Sequence, residues 1–288
     1  YSVVSREYIT KDNQSVKGLE IVEYHGADLN ATYMLPTTLA IDGQSYEVIG
    51  VGERAFRWVT MSSGSTFDIV NTNLRYIGNY AFYNLQGVHE LNLSNVDYIG
   101  EYALFNNKLY KATTPKLVEL GNYAYANNIT LNYVNAGPVT SIGEGAFYGC
   151  TGMEQMFFTS TNADTQASGM KIGVGSNAFY NVGTTIGKRF RIYVPDGKIG
   201  TSNVTYQEAY KNTFPSNVKD YIYPTGYIIG SYKFGTLPYD IGEYSIREVT
   251  LKNMMNADVT GWEIIEYHGP DVTSSFEIPN EITAGGIT

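Results

Sequence analysis

One hexapeptide, apolar-Gly-x-x-Ala-aromatic or Leu, occurs six times in this chain and constrains its fold more than any other feature. The copies open at Val51, Ile77, Ile99, Leu120, Ile142 and Val174. Gly52, Gly78, Gly100, Gly121, Gly143 and Gly175 fill the second place. Ala55, Ala81, Ala103, Ala124, Ala146 and Ala178 fill the fifth, before Phe56, Phe82, Leu104, Tyr125, Phe147 and Phe179. The glycines are 26, 22, 21, 22 and 32 residues apart, and the two long steps read as loop insertions around residues 58–67 and 159–171. A second pattern keeps step: Val88-x-x-Leu91-x-Leu93, Leu109-x-x-Ala112-x-Thr114, Leu131-x-x-Val134-x-Ala136 and Met153-x-x-Met156-x-Phe158. Its last part alternates, as a short strand does. Asn84, Asn106, Asn127 and Asn181 recur two places after the hexapeptide, with Gly149 at that slot in one copy.

A coil of about 22 residues cannot bury its own apolar face, so such coils stack and share one core. The expected solenoid runs from about residue 40 to 195 with one short strand per coil. The repeated Gly is expected to supply a bend with φ > 0. The Ala sits where coils approach closely, Phe82, Phe147 and Phe179 stack in the core, and the Asn bonds backbone groups as a ladder.

Ile-Gly-x-x-Ala-Phe followed by a strand of the form L-x-x-I-x-I resembles the BspA-like leucine-rich repeats of bacterial surface proteins. The resemblance covers residues 46–223. Ile142-Gly143-Glu144-Gly145-Ala146-Phe147-Tyr148-Gly149-Cys150 lies close to the family pattern, with Cys150 read as a small buried hydrophobe. The Pro usual after the strand is present at Pro115 but missing from most coils. The resemblance implies a right-handed, β-rich α/β solenoid of about six repeats with a concave sheet, and a surface or secreted role in adhesion or recognition.

Solenoid ends need caps. Residues 1–45 read as an N-terminal β-hairpin cap, 46–189 as the solenoid and 190–224 as a C-terminal strand-helix-strand cap. In that cap Thr205-x-x-Glu208 forms a capping box and Pro215 ends the helix. Residues 225–288 read as a linker and the start of a second module, cut short. Leu19-Glu20-Ile21-Val22-Glu23-Tyr24-His25-Gly26 matches Trp262-Glu263-Ile264-Ile265-Glu266-Tyr267-His268-Gly269 at an offset of 243. Arg6-Glu7 matches Arg247-Glu248 only with a two-residue insertion. Trp262 is expected to be partly buried, and the parent chain to be longer.

Nineteen Lys and Arg against 28 Asp and Glu give a net charge of −9. That balance argues against nucleic acid, which needs clustered cations. No uninterrupted apolar run exceeds four residues, so no span or membrane insertion is expected. One cysteine forbids an internal disulfide. No zinc, EF-hand, Walker or Gly-x-Ser-x-Gly spacing occurs, so no cofactor, metal or enzyme activity is expected. His25 and His268 precede turn glycines, and His89 takes a non-core strand slot. Glu53, Glu101 and Glu144 share one slot and read as an exposed row, not a glycosidase pair. The chain begins at Tyr1, so the compartment is undetermined by any signal, and an extracellular or surface location follows from the resemblance alone.

What remains is the outer side of the strands, where the x residues point away from the core. The candidate ligand-binding residues are Tyr110, Lys111, Asn132, Tyr133, Asn135, Glu154, Gln155 and Phe157. Tyr110, Tyr133 and Phe157 are expected to form an exposed aromatic strip for a host matrix protein or glycan. Three readings stay open: a non-enzymatic recognition scaffold, an accessory carbohydrate-binding module of a larger enzyme, and a spacer in a tandem surface protein.

Overall fold

Each hexapeptide closes one coil of a stacked solenoid, and each coil contributes strands to two parallel sheets. The computed structural model describes residues 1–26, 32–57, 59, 61, 66–164, 169–185, 190–225, 244–252 and 258–267. The chain divides into two compact units, Tyr1–Ile222 and Tyr223–Thr288.

In the first unit, two-residue strands end on the apolar residue that opens each of the last five hexapeptides: Tyr76–Ile77, Tyr98–Ile99, Glu119–Leu120, Ser141–Ile142 and Gly173–Val174. They pair in register, coil to coil. The L-x-x-I-x-I segments form longer strands, Phe67–Val70, Val88–Asn92, Lys111–Thr113, Tyr133–Asn135, Gln155–Phe157 and Arg191–Val194. These also run parallel. One strand per coil was the expectation, and the second arises from stacking itself. Any extended stretch, however short, lies beside its own copy at strand spacing and pairs with it.

The core lies between the two sheets. Ala81, Ala103, Ala124, Ala146 and Ala178 are fully buried. Phe56 stacks on Phe82 at 5.0 Å, Tyr125 on Phe147 at 5.5 Å and Phe147 on Phe179 at 5.6 Å, with Leu104 filling the slot between. Cys150 is buried, its thiol pushed up to about 12 by desolvation.

Two details correct the expectation. None of the six repeat glycines has a positive φ. They are required by close approach: a Cβ on Gly143 would sit 2.4 Å from the Asn122 nitrogen and 2.5 Å from the Gly121 carbonyl carbon. The left-handed residue is the fourth of the hexapeptide, at Arg54, Tyr80, Tyr102, Tyr123, Gly145 and Asn177. Second, Asn84, Asn106, Asn127 and Asn181, like Gly149, are themselves left-handed, a conformation Asn tolerates well. The ladder of bonds to backbone stands one residue later. Asn107 Nδ2 donates to the Phe82 carbonyl at 2.8 Å, Asn128 Nδ2 to Leu104 at 2.9 Å, and Cys150 Sγ to Tyr125 at 3.2 Å.

The first hairpin, Ser2–Ile9 with Ser15–Glu23, joins the short-stranded sheet when its second strand pairs in parallel with Gln44–Val51. At the other end the helix Tyr206–Thr213 opens on a capping box at Thr205 and Glu208, and buries Ala209 and Tyr210.

In the second unit Tyr244–Lys252 pairs antiparallel with Asp258–Tyr267. Its register reproduces the first hairpin residue for residue, including the bulge: Ser2↔Glu23 then Val3↔Ile21, and Ser245↔Glu266 then Ile246↔Ile264. No insertion is needed; Arg247 takes the ladder position of Val4, so the Arg-Glu match is incidental. The Trp262 side chain and residues 268–288, His268 included, lie outside the described residues.

Candidate functional site

The outer side of the long-stranded sheet presents two columns of side chains, one coil apart at each step. Strand register aligns Glu90, Lys111, Tyr133, Gln155 and Arg191 in one column. It aligns Asn92, Thr113, Asn135, Phe157 and Tyr193 in the other. Alternation sends Ala112, Val134, Met156 and Ile192 inward, and all four are buried.

A chain of contacts crosses these columns. The Tyr110 hydroxyl donates to Glu90 Oε2 at 2.8 Å, and that bond, ahead of burial, raises the Tyr110 pKa. Lys111 Nζ lies 3.4 Å from Glu90 Oε1 and 5.9 Å from the Tyr133 ring centre. Tyr133 meets Phe157 at 5.5 Å, and Phe157 stacks on Tyr193 at 4.8 Å. Burial pushes the Tyr133 phenol up to about 12.

The expected aromatic strip is corrected in two ways. Tyr110 precedes the paired stretch, 44% exposed, and the ladder partner of Tyr133 is Lys111, although the Tyr133 N–H reaches the Tyr110 carbonyl at 3.3 Å. Phe157 is only 5% exposed. It faces away from the core yet is packed between two other rings. Tyr193, expected from the sequence only as part of the strand that opens the C-terminal cap, completes the aromatic group; its signal was its alternation within Arg191-Ile192-Tyr193-Val194. The other candidates take separate places. Gln155 stands beside Tyr133, half-buried. Asn135 turns back, its Oδ1 accepting the Gly137 N–H at 3.3 Å. Asn132 and Glu154 occupy the slot before the strands, where each carbonyl accepts an N–H from the next coil.

A second row of aromatics, on the turn edge, was missed. Tyr80, Tyr102 and Tyr123 stack at 5.1 and 5.0 Å, nearly parallel, and Arg54 caps Tyr80 at 4.8 Å. All are left-handed residues. A left-handed bulky residue costs roughly 1–3 kcal/mol. Each ring pair returns about 0.5–1.5 kcal/mol, and the middle tyrosine makes two. The signal was visible: Tyr fills the fourth place of three consecutive hexapeptides. The Glu row is tied to this edge. Tyr80 donates to Glu101 at 3.2 Å, Tyr123 to Glu144 at 3.1 Å, and Arg54 pairs with Glu53. His25 lies by Ser2, and His89 is half-buried on its strand. Among the described residues no three His, Cys, Asp or Glu side chains converge as a metal site.

No curated protein matches this chain. A leucine rich cell surface protein from Faecalibacterium prausnitzii A2-165 is 18% identical with a TM-score of 0.43, over 66% of this chain and 52% of that one. The chain therefore spans about half the length of that protein. The T. pallidum leucine rich repeat protein is 19% identical with a TM-score of 0.40, over 60% of this chain and 79% of that one. A leucine-rich repeat protein from Bacteroides ovatus ATCC 8483 is 16% identical with a TM-score of 0.31, over 69% of this chain and 56% of that one. The model of the BspA type leucine rich repeat region matches in six copies over residues 49–182, the stretch that holds all six hexapeptides. Residues 49–182 are thus the part of this chain that matches a leucine-rich repeat region of the BspA type.

Proposed function

We propose that this chain is a non-enzymatic recognition scaffold of the cell surface or secreted space, binding a protein or glycan ligand through the outer side of its long-stranded sheet. The observation that carries the reading is the contact chain from Glu90 through Lys111 and Tyr133 to Phe157 and Tyr193. It runs from a charged end to an aromatic end over successive coils, a mixture that suits recognition surfaces. Tyr133 and Lys111 supply the reachable aromatic and the charge, with Tyr110, Gln155, Asn132, Asn135 and Glu154 around them. Phe157, on the adjacent strand, packs against the Tyr133 ring. Residues 225–288, whose hairpin repeats the first in register, begin a second module of the same kind in this reading.

The test is a screen of the whole chain against host matrix proteins and glycans, repeated with Lys111→Ala/Tyr133→Ala. Recognition surfaces concentrate energy in a few anchors, so capture should weaken by roughly tenfold or more while thermal unfolding still shows a folded chain. Equal capture by both proteins moves the site off this sheet.

A further inference from the structure

The turn of the first hairpin and the side of the coils together line an open cavity of about 380 Å³. Its walls come from residues far apart in sequence: Thr10 to Val16 on the hairpin, then Arg75, Asn95 with Asp97, and Lys116 with Val118 on successive coils. That size falls in the range of small-molecule sites, roughly 300–1,000 Å³.

The charges on these walls are not equally committed. Asp97 is buried and accepts from the Tyr8 hydroxyl at 2.7 Å and the Lys11 backbone N–H at 2.5 Å. The Lys11 ammonium is paired with Glu119 at 2.6 Å, and Asp12 accepts from the Thr10 hydroxyl. The other two cations have no carboxylate partner among the described residues. Arg75 is clamped through one nitrogen to the carbonyls of Thr72 at 3.2 Å, Asn73 at 2.8 Å and Leu74 at 3.2 Å. Its remaining N–H groups make no bond among the described residues. Lys116 Nζ is held by Asn95 Oδ1 at 2.7 Å, and Asn95 is itself anchored to the Thr72 carbonyl at 2.8 Å. Asp97 and Asp12 are held only by neutral donors, as Arg75 and Lys116 are by neutral acceptors, but the two cations stand together on the coil wall, joined through Asn95 and the Thr72 carbonyl.

We propose that this cavity binds a single acidic sugar residue and holds its carboxylate between Arg75 and Lys116. A guanidinium already fixed through Nη1 leaves Nε–H and Nη2–H as a fork for a carboxylate without further ordering. An anion alone would leave most of the volume unfilled. Val16, Val118 and Pro138 give the walls an apolar share for the C–H face of a ring, and Gln14 and Asp12 stand at the rim for its hydroxyls. The site is separate from the outer sheet face and does not depend on that reading.

The test is a titration of the full chain with sodium glucuronate, glucose and sodium acetate, followed by NMR. Glucuronate should shift the Asn95 and Arg75 side-chain signals, with glucose and acetate both much weaker. Lys116→Glu reverses an exposed charge and should lower the glucuronate affinity about tenfold or more at an unchanged melting temperature. Arg75→Lys keeps the charge but loses the fork, and should weaken glucuronate while the Asn95 signals still report a folded cavity. Glucose binding as tightly as glucuronate, acetate doing so (an adventitious anion only), or an unaffected Lys116→Glu variant would each overturn the assignment.

Discussion

The turn edge and the outer sheet face are built from the same stacked coils, yet they use repetition in opposite ways. Along the turn edge one slot holds Tyr80, Tyr102 and Tyr123, and another holds Gly100, Gly121 and Gly143. Like stacks on like, and each residue's surroundings are copies of itself. Along the outer face one column reads Glu90, Lys111, Tyr133, Gln155 and Arg191, five different chemistries in successive places. The difference teaches where the coil is constrained. A slot that touches its own copies must satisfy a single packing rule, whereas an outward slot is bound only by strand geometry and can be varied to suit a ligand.

The exception offers the sharpest test. Phe157 belongs to an outward column but is buried between Tyr133 and Tyr193. Phe157→Ala should therefore behave like a core truncation and cost about 3–5 kcal/mol. A melting temperature near that of the parent chain would return Phe157 to the freely variable face. Gly143→Ala probes the opposite side of the comparison, because the added Cβ meets the backbone of the preceding coil at Gly121 and Asn122. It should cost about 3 kcal/mol, the upper end for overpacking, as read from denaturant midpoints. Tolerance of Ala there would mean that the stacked glycines do not set the coil spacing.

Smaller effects refine the picture. Tyr125 departs from the Phe and Leu of its core column, and its buried hydroxyl makes no hydrogen bond of good geometry among the described residues, with the Thr114 side chain near it. Tyr125→Phe should keep the ring stack and stabilise the chain by about 1 kcal/mol, relieving an unsatisfied polar group. A loss of stability on thermal unfolding would place a bonding partner beside that hydroxyl. Last, Lys111→Ala should change stability by less than about 0.5 kcal/mol. A larger shift would make its contacts with Glu90 and Tyr133 part of the fold.

The sequence by itself determined the coil. The hexapeptide spacing named the six repeats, the buried alanines and the stacked rings, because each rests on a local period that every copy restates. Thr205 and Glu208 named the helix start for the same reason: a cap is closed within three residues. Tertiary structure alone decided which side chains share a column, since register between coils is set by pairing of residues some 22 positions apart and the loose x slots carry no periodic mark of it. It decided that the repeat glycine answers to close approach and not to a positive φ, because both demands select the same residue. It decided the burial of Phe157, which depends on Tyr193, 36 residues further along. And it brought Lys11 against Asp97 and Glu119 at the cavity, a meeting of hairpin and coils that no local pattern encodes.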